Sequence, residues 1–183
     1  TQSAWGLTLR AYGRRWVSYK APRDILMFPG TLSVWVKRDA STWERKPWPW
    51  YSEIRALVHI ASERHHTNAL DLTVCMDKVW ARLYDPRGWE IVAISAPSPW
   101  DDGRWHHIAV VWNRYSLALY IDGKQAARDE TSHLPGGGQE TIHLGWRPGN
   151  WYGQAGFHDL RLFRTPLREE QIRCIFEQRN QKQ

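Results

Sequence analysis

No stretch of the sequence approaches the roughly 20 consecutive apolar residues that a membrane-spanning helix needs, so no membrane span is expected. Like charges never run to five in a row, which excludes a basic tail, and no internal repeat occurs. Cysteine is scarce, with only Cys75 and Cys174. Two cysteines make neither a disulfide framework nor a metal-ligand spacing, and the burial habit of cysteine predicts two separate buried thiols. Paired carboxylates are missing as well. Glu53, Glu63, Glu90, Glu130 and Glu140 each lack an acidic residue two positions on. A retaining glycanase needs two carboxylates about 5 Å apart, which alternate positions on one strand would supply. Their absence argues against an enzyme of that kind.

Tryptophan, by contrast, is abundant. Thirteen of them in 183 residues must either fill a core or form flat binding surfaces. Lysine and arginine exceed aspartate and glutamate, giving a net charge of +6 that favours acidic partners. With 42% hydrophobic and 24% charged residues the chain is globular, and no linker divides it, so residues 1–183 are read as one domain. A start without methionine or signal peptide leads to the expectation of an excised domain or mature fragment.

The strongest pattern runs from Trp100 to Gly123. Ile108, Val110 and Trp112 alternate with His107, Ala109 and Val111, and Leu117, Leu119 and Ile121 alternate with Ala118 and Tyr120. Period-two alternation on both sides of the polar connector Asn113–Ser116 predicts an antiparallel hairpin, ended by the turn Asp122-Gly123. Similar strands are expected over Thr31–Lys37, Arg55–Ala61, Asn68–Met76, Val79–Tyr84, Trp89–Ser95, Thr141–Leu144 and Ala155–Phe163, with weaker ones at Ala4–Leu9 and Lys124–Arg128. Regularly spaced strands with turn signals between them indicate a β-sandwich or jelly roll. Residues 38–52, interrupted by Pro47 and Pro49, read as a long surface loop. Residues 133–138 read as a flexible glycine-rich loop and Gly145–Gly153 as a Gly/Pro loop. Leu167, Ile172, Ile175 and Phe176 share one face of a helix that Thr165-Pro166 is expected to start.

The segments GTLSVWVK (30–37), GRWHHIAVVWN (103–113), LALYIDGK (117–124), IHLGW (142–146) and GFHDLRLFRTPLREEQI (156–172) carry a resemblance. By order and spacing the chain resembles laminin G-like jelly rolls of the concanavalin A-like lectin/glucanase superfamily, from about residue 28 to its end. The resemblance implies an all-β fold of two antiparallel sheets with one short C-terminal helix. It implies a secreted or cell-surface setting, frequent carbohydrate binding, and in some members a calcium ion on the rim. Where that family often has Ser or Thr before the last helix this chain has Arg168, which shifts the expected cap to Thr165.

No catalytic set can be assembled from spacing. His59, His107 and Asp101 or Asp102 are considered as a metal site, and Tyr120, His107, Arg82 and Gln154 as a lyase-like set, but nothing in the sequence brings either together. His107 reads first as a hydrogen-bonded strand histidine, Asp159 as structural, and two turn carboxylates are too few for calcium. The candidate ligand-binding residues are therefore the loop aromatics Trp43, Trp48 and Trp50, and Trp151 and Tyr152, with Arg147 and Asn150 as polar partners. Sugar rings stack their apolar faces on flat aromatics while amides and guanidinium groups bond the hydroxyls. Trp35, Trp80, Trp105 and Trp112 lie in strands and read as packing. The expected function is a non-catalytic carbohydrate-recognition module, its partner a polysaccharide or glycan, acidic by charge. A protein-interaction or adhesion module using the same aromatics is the alternative. Single-stranded nucleic acid ranks last, because no motif for it occurs.

Overall fold

A computed structural model describes residues 9–10, 17–22, 24–38, 54–62, 67–100, 103–147, 151–152 and 155–180. Among the described residues, fourteen strands and a 3-10 turn at Ile25–Met27 precede one α-helix: β1 (Leu9–Arg10), β2 (Val17–Lys20), β3 (Gly30–Arg38), β4 (Arg55–Ala61), β5 (Leu70–Cys75), β6 (Lys78–Tyr84) and β7 (Glu90–Pro97) in the first half. The second half holds β8 (Trp105–Asn113), β9 (Ser116–Ile121), β10 (Lys124–Glu130), β11 (Thr141–Leu144), β12 (Trp146–Arg147), β13 (Trp151–Tyr152), β14 (Ala155–Phe163) and α1 (Glu169–Asn180). They build a first sheet in the order β1-β14-β3-β8-β9-β10 and a second in the order β2-β11-β4-β5-β6-β7, with β12 and β13 as a separate small pair. Pairing is antiparallel at every described step, from β14 on β3 and β3 on β8 to β6 on β7. The fold is the all-β jelly-roll sandwich expected from the sequence.

Alternation explains the layers. Leu32, Val34, Val36, Ile108, Val110, Trp112, Leu117 and Leu119 of the first sheet pack against Val58, Ile60, Leu70, Leu72, Val79, Ala81 and Leu83 of the second. These are the every-second residues of their strands, as a pleated backbone requires. Gly30 opens β3 because a Cβ there would lie 2.5 Å from the Trp112 ring and 2.9 Å from the Phe163 carbonyl oxygen. Trp100, absent from the predicted core, is also fully buried and donates its indole N–H to the Val36 carbonyl.

The opposite face of the first sheet is covered by α1. Ala109, Val111, Ala118 and Tyr120 form a second apolar cluster with Ile172, and Trp35 stacks on Phe176 at 5.7 Å. Burial there, reinforced by Glu169 and Glu170 of the first helical turn, raises the Tyr120 phenol above its ordinary value. The helix begins three residues later than Pro166, which corrects the expected start and the Thr165 cap. Thr31 Oγ1 accepts from the Leu167 N–H and donates to the Thr165 carbonyl, holding this stretch extended. Arg168 then takes the cap position, its backbone N–H donating to Gln171 Oε1, one half of a capping box.

Several turns are fixed by side chains. Asn113 Oδ1 accepts from the Tyr115 and Ser116 N–H groups, closing the β8–β9 hairpin. Asp122 and Gly123 both adopt positive φ in the β9–β10 turn, the geometry the Asp-Gly pair predicted. Residues 133–138, expected to be a flexible loop, are tied by Asn68, which accepts from the Gly136 N–H and donates to the Gly137 carbonyl, and by Asp24, which accepts from the Gly138 N–H. Within the expected Gly/Pro loop 145–153, the described residues differ from expectation, because Trp146↔Tyr152 and Arg147↔Trp151 pair as two short strands. Cys75 is buried as predicted, but Cys174 is exposed on α1, and the two form no disulfide.

Candidate functional site

The outer face of the second sheet is the place where chemistry collects. Its strands bury Val58, Ile60, Leu70, Leu72, Val79, Ala81 and Leu83 inward, so the alternate residues point away from the core. Register lines five of these up in one row across the sheet. Ser18 pairs with His143, His143 with His59, His59 with Asp71, and Asp71 with Arg82.

Side-chain contacts link parts of this row. Ser18 Oγ lies 2.7 Å from His143 Nδ1, and the His143 and His59 rings stack in parallel with centroids 6.0 Å apart. His59 Nδ1 meets Asp71 Oδ1 in a short contact, and both side chains are fully buried. Arg82 Nη1 donates to Thr73 Oγ1 at 3.1 Å and its Nε lies 3.4 Å from Glu90 Oε2. Its guanidinium carbon sits 4.5 Å from the Trp80 ring centroid, a cation–π contact. Burial, with His59 adding a smaller push, lowers the His143 pKa from 6.5 to about 4. The imidazole is thus neutral at pH 7, with one nitrogen to donate and one to accept.

The hairpin of β12 and β13 packs against β4, beside this row. Trp146 meets His143 edge-on, centroids 4.7 Å apart. Of the predicted ligand-binding residues, Arg147, Trp151 and Tyr152 therefore belong to a hairpin at the edge of the polar face. Trp43, Trp48, Trp50 and Asn150 lie outside the described residues, as do Asp101, Asp102 and Gln154. His59 and Asp71 were not among the predicted site residues. The signal for them was present: each is a polar residue at an outward position of a strand whose inward positions are all apolar.

The two composite sites considered from the sequence do not assemble. His59 is in the second sheet, whereas His107 lies in the first, bonded to Ser33 Oγ at 2.8 Å and tilted against Trp35 and Phe176. Tyr120 shares that helix-covered face, so neither it nor His107 can meet Arg82. His107 is a strand histidine held by hydrogen bonds, as read from the sequence. Asp159, at positive φ in a β14 bulge, grips Arg161 through two bonds of 2.8 and 2.6 Å.

Calcium finds no fitting donor set among the described residues. Asp122 accepts from the His107 N–H and bonds His106 Nδ1, Asp85 accepts from the Arg87 and Trp89 N–H groups, and Asp24 from Gly138. These turn carboxylates hold backbone, and no cluster of three ligating side chains occurs among the described residues.

Two packed antiparallel sheets with a C-terminal helix over one of them define a lectin-type jelly roll. A laminin G-type model, described as the concanavalin A-like lectin/glucanases superfamily, matches residues 24–173, and the chain belongs to that family. No curated protein matches the chain. Among solved structures it is similar to the binding domain of botulinum neurotoxin serotype D (15% identity, 95% of this chain and 43% of that one, TM-score 0.71). It is similar also to the binding domain of Paraclostridial Mosquitocidal Protein 1 (13% identity, 95% and 43%, TM-score 0.69). A third is the binding domain of botulinum neurotoxin DC in complex with SialylT (11% identity, 89% and 39%, TM-score 0.67). The chain spans less than half the length of each of these, and identities this low establish the shared fold alone.

Proposed function

We propose that the protein is a non-catalytic carbohydrate-recognition module, residues 1–183 forming one domain of a larger secreted or surface protein. Its glycan contacts are the aromatics Trp43, Trp48, Trp50, Trp151 and Tyr152, with Arg147 and Asn150. The observation that supports this reading is the packing of β12 and β13, the strands that hold Trp146 and Trp151, against β4, the strand of His59 in the polar row. Trp146 edge-on to the neutral His143 ring, with Ser18 bonded to that ring, sets an aromatic surface beside a donor and an acceptor, which matches what a sugar ring offers, apolar C–H faces edged by hydroxyls. The SialylT ligand of one similar binding domain is in keeping with it.

The carboxylates of this face support a binding role. Asp71 is held by His59 and Glu90 by Arg82, which leaves them in the service of neighbouring side chains. The test is binding to a panel of neutral and acidic polysaccharides, first with calcium and then with chelator, using the protein and its Trp151→Ala variant. Binding displaced by free oligosaccharide and lost in the variant, at unchanged melting temperature, is expected. Silence across the panel would overturn the reading in favour of a protein-binding module.

A further inference from the structure

One strand of the second sheet carries a feature that neither the predicted loop aromatics nor the His59–Asp71 row accounts for. The outward residues of β6 are Lys78, which is exposed, and Trp80, Arg82 and Tyr84, which are partly exposed, while Val79, Ala81 and Leu83 between them are buried. The turn that follows ends in Trp89, which is 72% exposed. Aromatic, cation, aromatic and aromatic thus follow one another from mid-strand to the sheet end. From Trp80 to Tyr84 alone the strand spans about 13 Å.

Four observations set this strip apart from ordinary packing. First, Trp89 is exposed but not loosely held. Its N–H donates to Asp85 Oδ1 at 2.8 Å and its carbonyl accepts from the Asp85 N–H at 2.9 Å, so a large apolar ring stands in water on a pinned backbone. Secondly, Trp80 Nε1 is buried and meets no hydrogen-bond acceptor. Thirdly, Trp80 and Arg82 pair across to Ser95 and Ala93 of the edge strand β7, both small. Large residues on one strand beside small ones on the next make a shelf along a ridge.

The fourth observation concerns charge. Arg82 has Glu90 at 3.4 Å, and its guanidinium also bonds Thr73 and faces the Trp80 ring. The Arg82–Glu90 pair offers hydroxyl groups guanidinium donors and carboxylate acceptors, but an arginine so paired is a poor counter-ion for a second carboxylate.

We propose that β6 and its turn form a binding strip for an uncharged oligosaccharide, stacked on Trp89, Tyr84 and the exposed part of Trp80, with the Arg82–Glu90 pair bonding its hydroxyls. The proposal rests on the carbohydrate-recognition reading above and adds to it a second set of contact residues and the class of sugar.

The experiment is calorimetric titration with cellohexaose, laminarihexaose and mannohexaose as uncharged probes and hexagalacturonate as the acidic one. It is done on the protein and on Trp89→Ala, Arg82→Gln and Trp151→Ala variants. Expected are binding to at least one uncharged probe, little change between low and high salt, and a loss of about tenfold or more in Trp89→Ala and Arg82→Gln. Because Trp89 is exposed, its variant should keep the wild-type melting temperature, and Trp80→Phe serves as a second, volume-sparing variant. Uncharged-sugar binding untouched by Trp89→Ala and Arg82→Gln but lost in Trp151→Ala would overturn the strip and leave the general reading standing. Binding to hexagalacturonate alone would overturn the choice of an uncharged sugar. No binding to any probe would overturn both.

Discussion

The two outer faces of the sandwich are made by the same device and put to opposite use. On the first sheet the outward residues Trp35, Ala109, Val111, Ala118 and Tyr120 are apolar or aromatic, and α1 closes over them with Ile172 and Phe176. On the second, the outward residues Ser18, His143, His59, Asp71 and Arg82 are polar, and a small hairpin flanks them instead of a helix. A β-strand buried on both faces reads as a continuous apolar run, and β8 is one. In the second sheet β4 and β5 are buried on both faces too, yet their outward positions His59, Asp71 and Thr73 are polar. The comparison therefore teaches where to look for function in a fold that does not define it. It is the face whose alternate residues could have been apolar and are not.

The sharpest way to break this contrast is to remove a large aromatic from each side. Trp35 is 1% exposed beneath α1, and Trp35→Ala should cost about 3–5 kcal/mol in chemical denaturation, as for other buried tryptophans. Trp89→Ala, on the other face, should leave the denaturation midpoint where it is. Equal losses would mean that the two faces are alike, and the argument from contrast would fail.

Next in size is the buried pair of the polar face. Asp71→Ala leaves His59 without its carboxylate in a fully buried position, and a loss of about 3 kcal/mol is expected. Replacing both, as His59→Leu with Asp71→Ala, should recover part of that loss, because no polar group is then left without its partner. A double variant as unstable as the sum of the singles would show that the pair does not act as a unit.

Acid should also separate the faces. Burial lowers the His143 pKa to about 4, so as pH falls from 6.5 the unfolded chain takes up this proton before the folded one does. Stability contributed by the neutral ring is complete above pH 6.5, declines between 6.5 and about 4, and declines no further below that. Melting temperatures of His143→Gln across this window should show a shallower decline than the wild type. Parallel curves would mean that His143 titrates alike in the folded and unfolded chain.

How much of this was written in the sequence depends on the range of the signal. Alternation is local, so Ile108, Val110 and Trp112 could be assigned to the core from neighbours alone. The Asp122-Gly123 turn was equally plain, because positive φ needs residues of that kind. The polar row was not legible as a row. His59 and Asp71 stand 12 positions apart and His143 a further 72 along, and only the register of three strands makes them neighbours. Trp80 was read as core or sheet-face packing because it sits in a strand, and its strand position turns it to the outer face beside Arg82.

The start of α1 gives the same lesson at the smallest scale. Proline at a first helical position is a sound local signal, yet Pro166 lies outside the helix. Thr31, 136 residues earlier, takes the Leu167 N–H that would otherwise favour an earlier start. Gln171 then satisfies the Arg168 N–H at the true cap, on the helix that closes the apolar face. Gln171→Ala should therefore cost only about 0.5–1 kcal/mol, read as a small shift in the denaturation midpoint. The matching Thr31→Val change should cost more, because it removes both bonds that hold residues 165–167 to β3. If Gln171→Ala proved the more harmful, the long-range clamp would be secondary and the local cap would set the boundary.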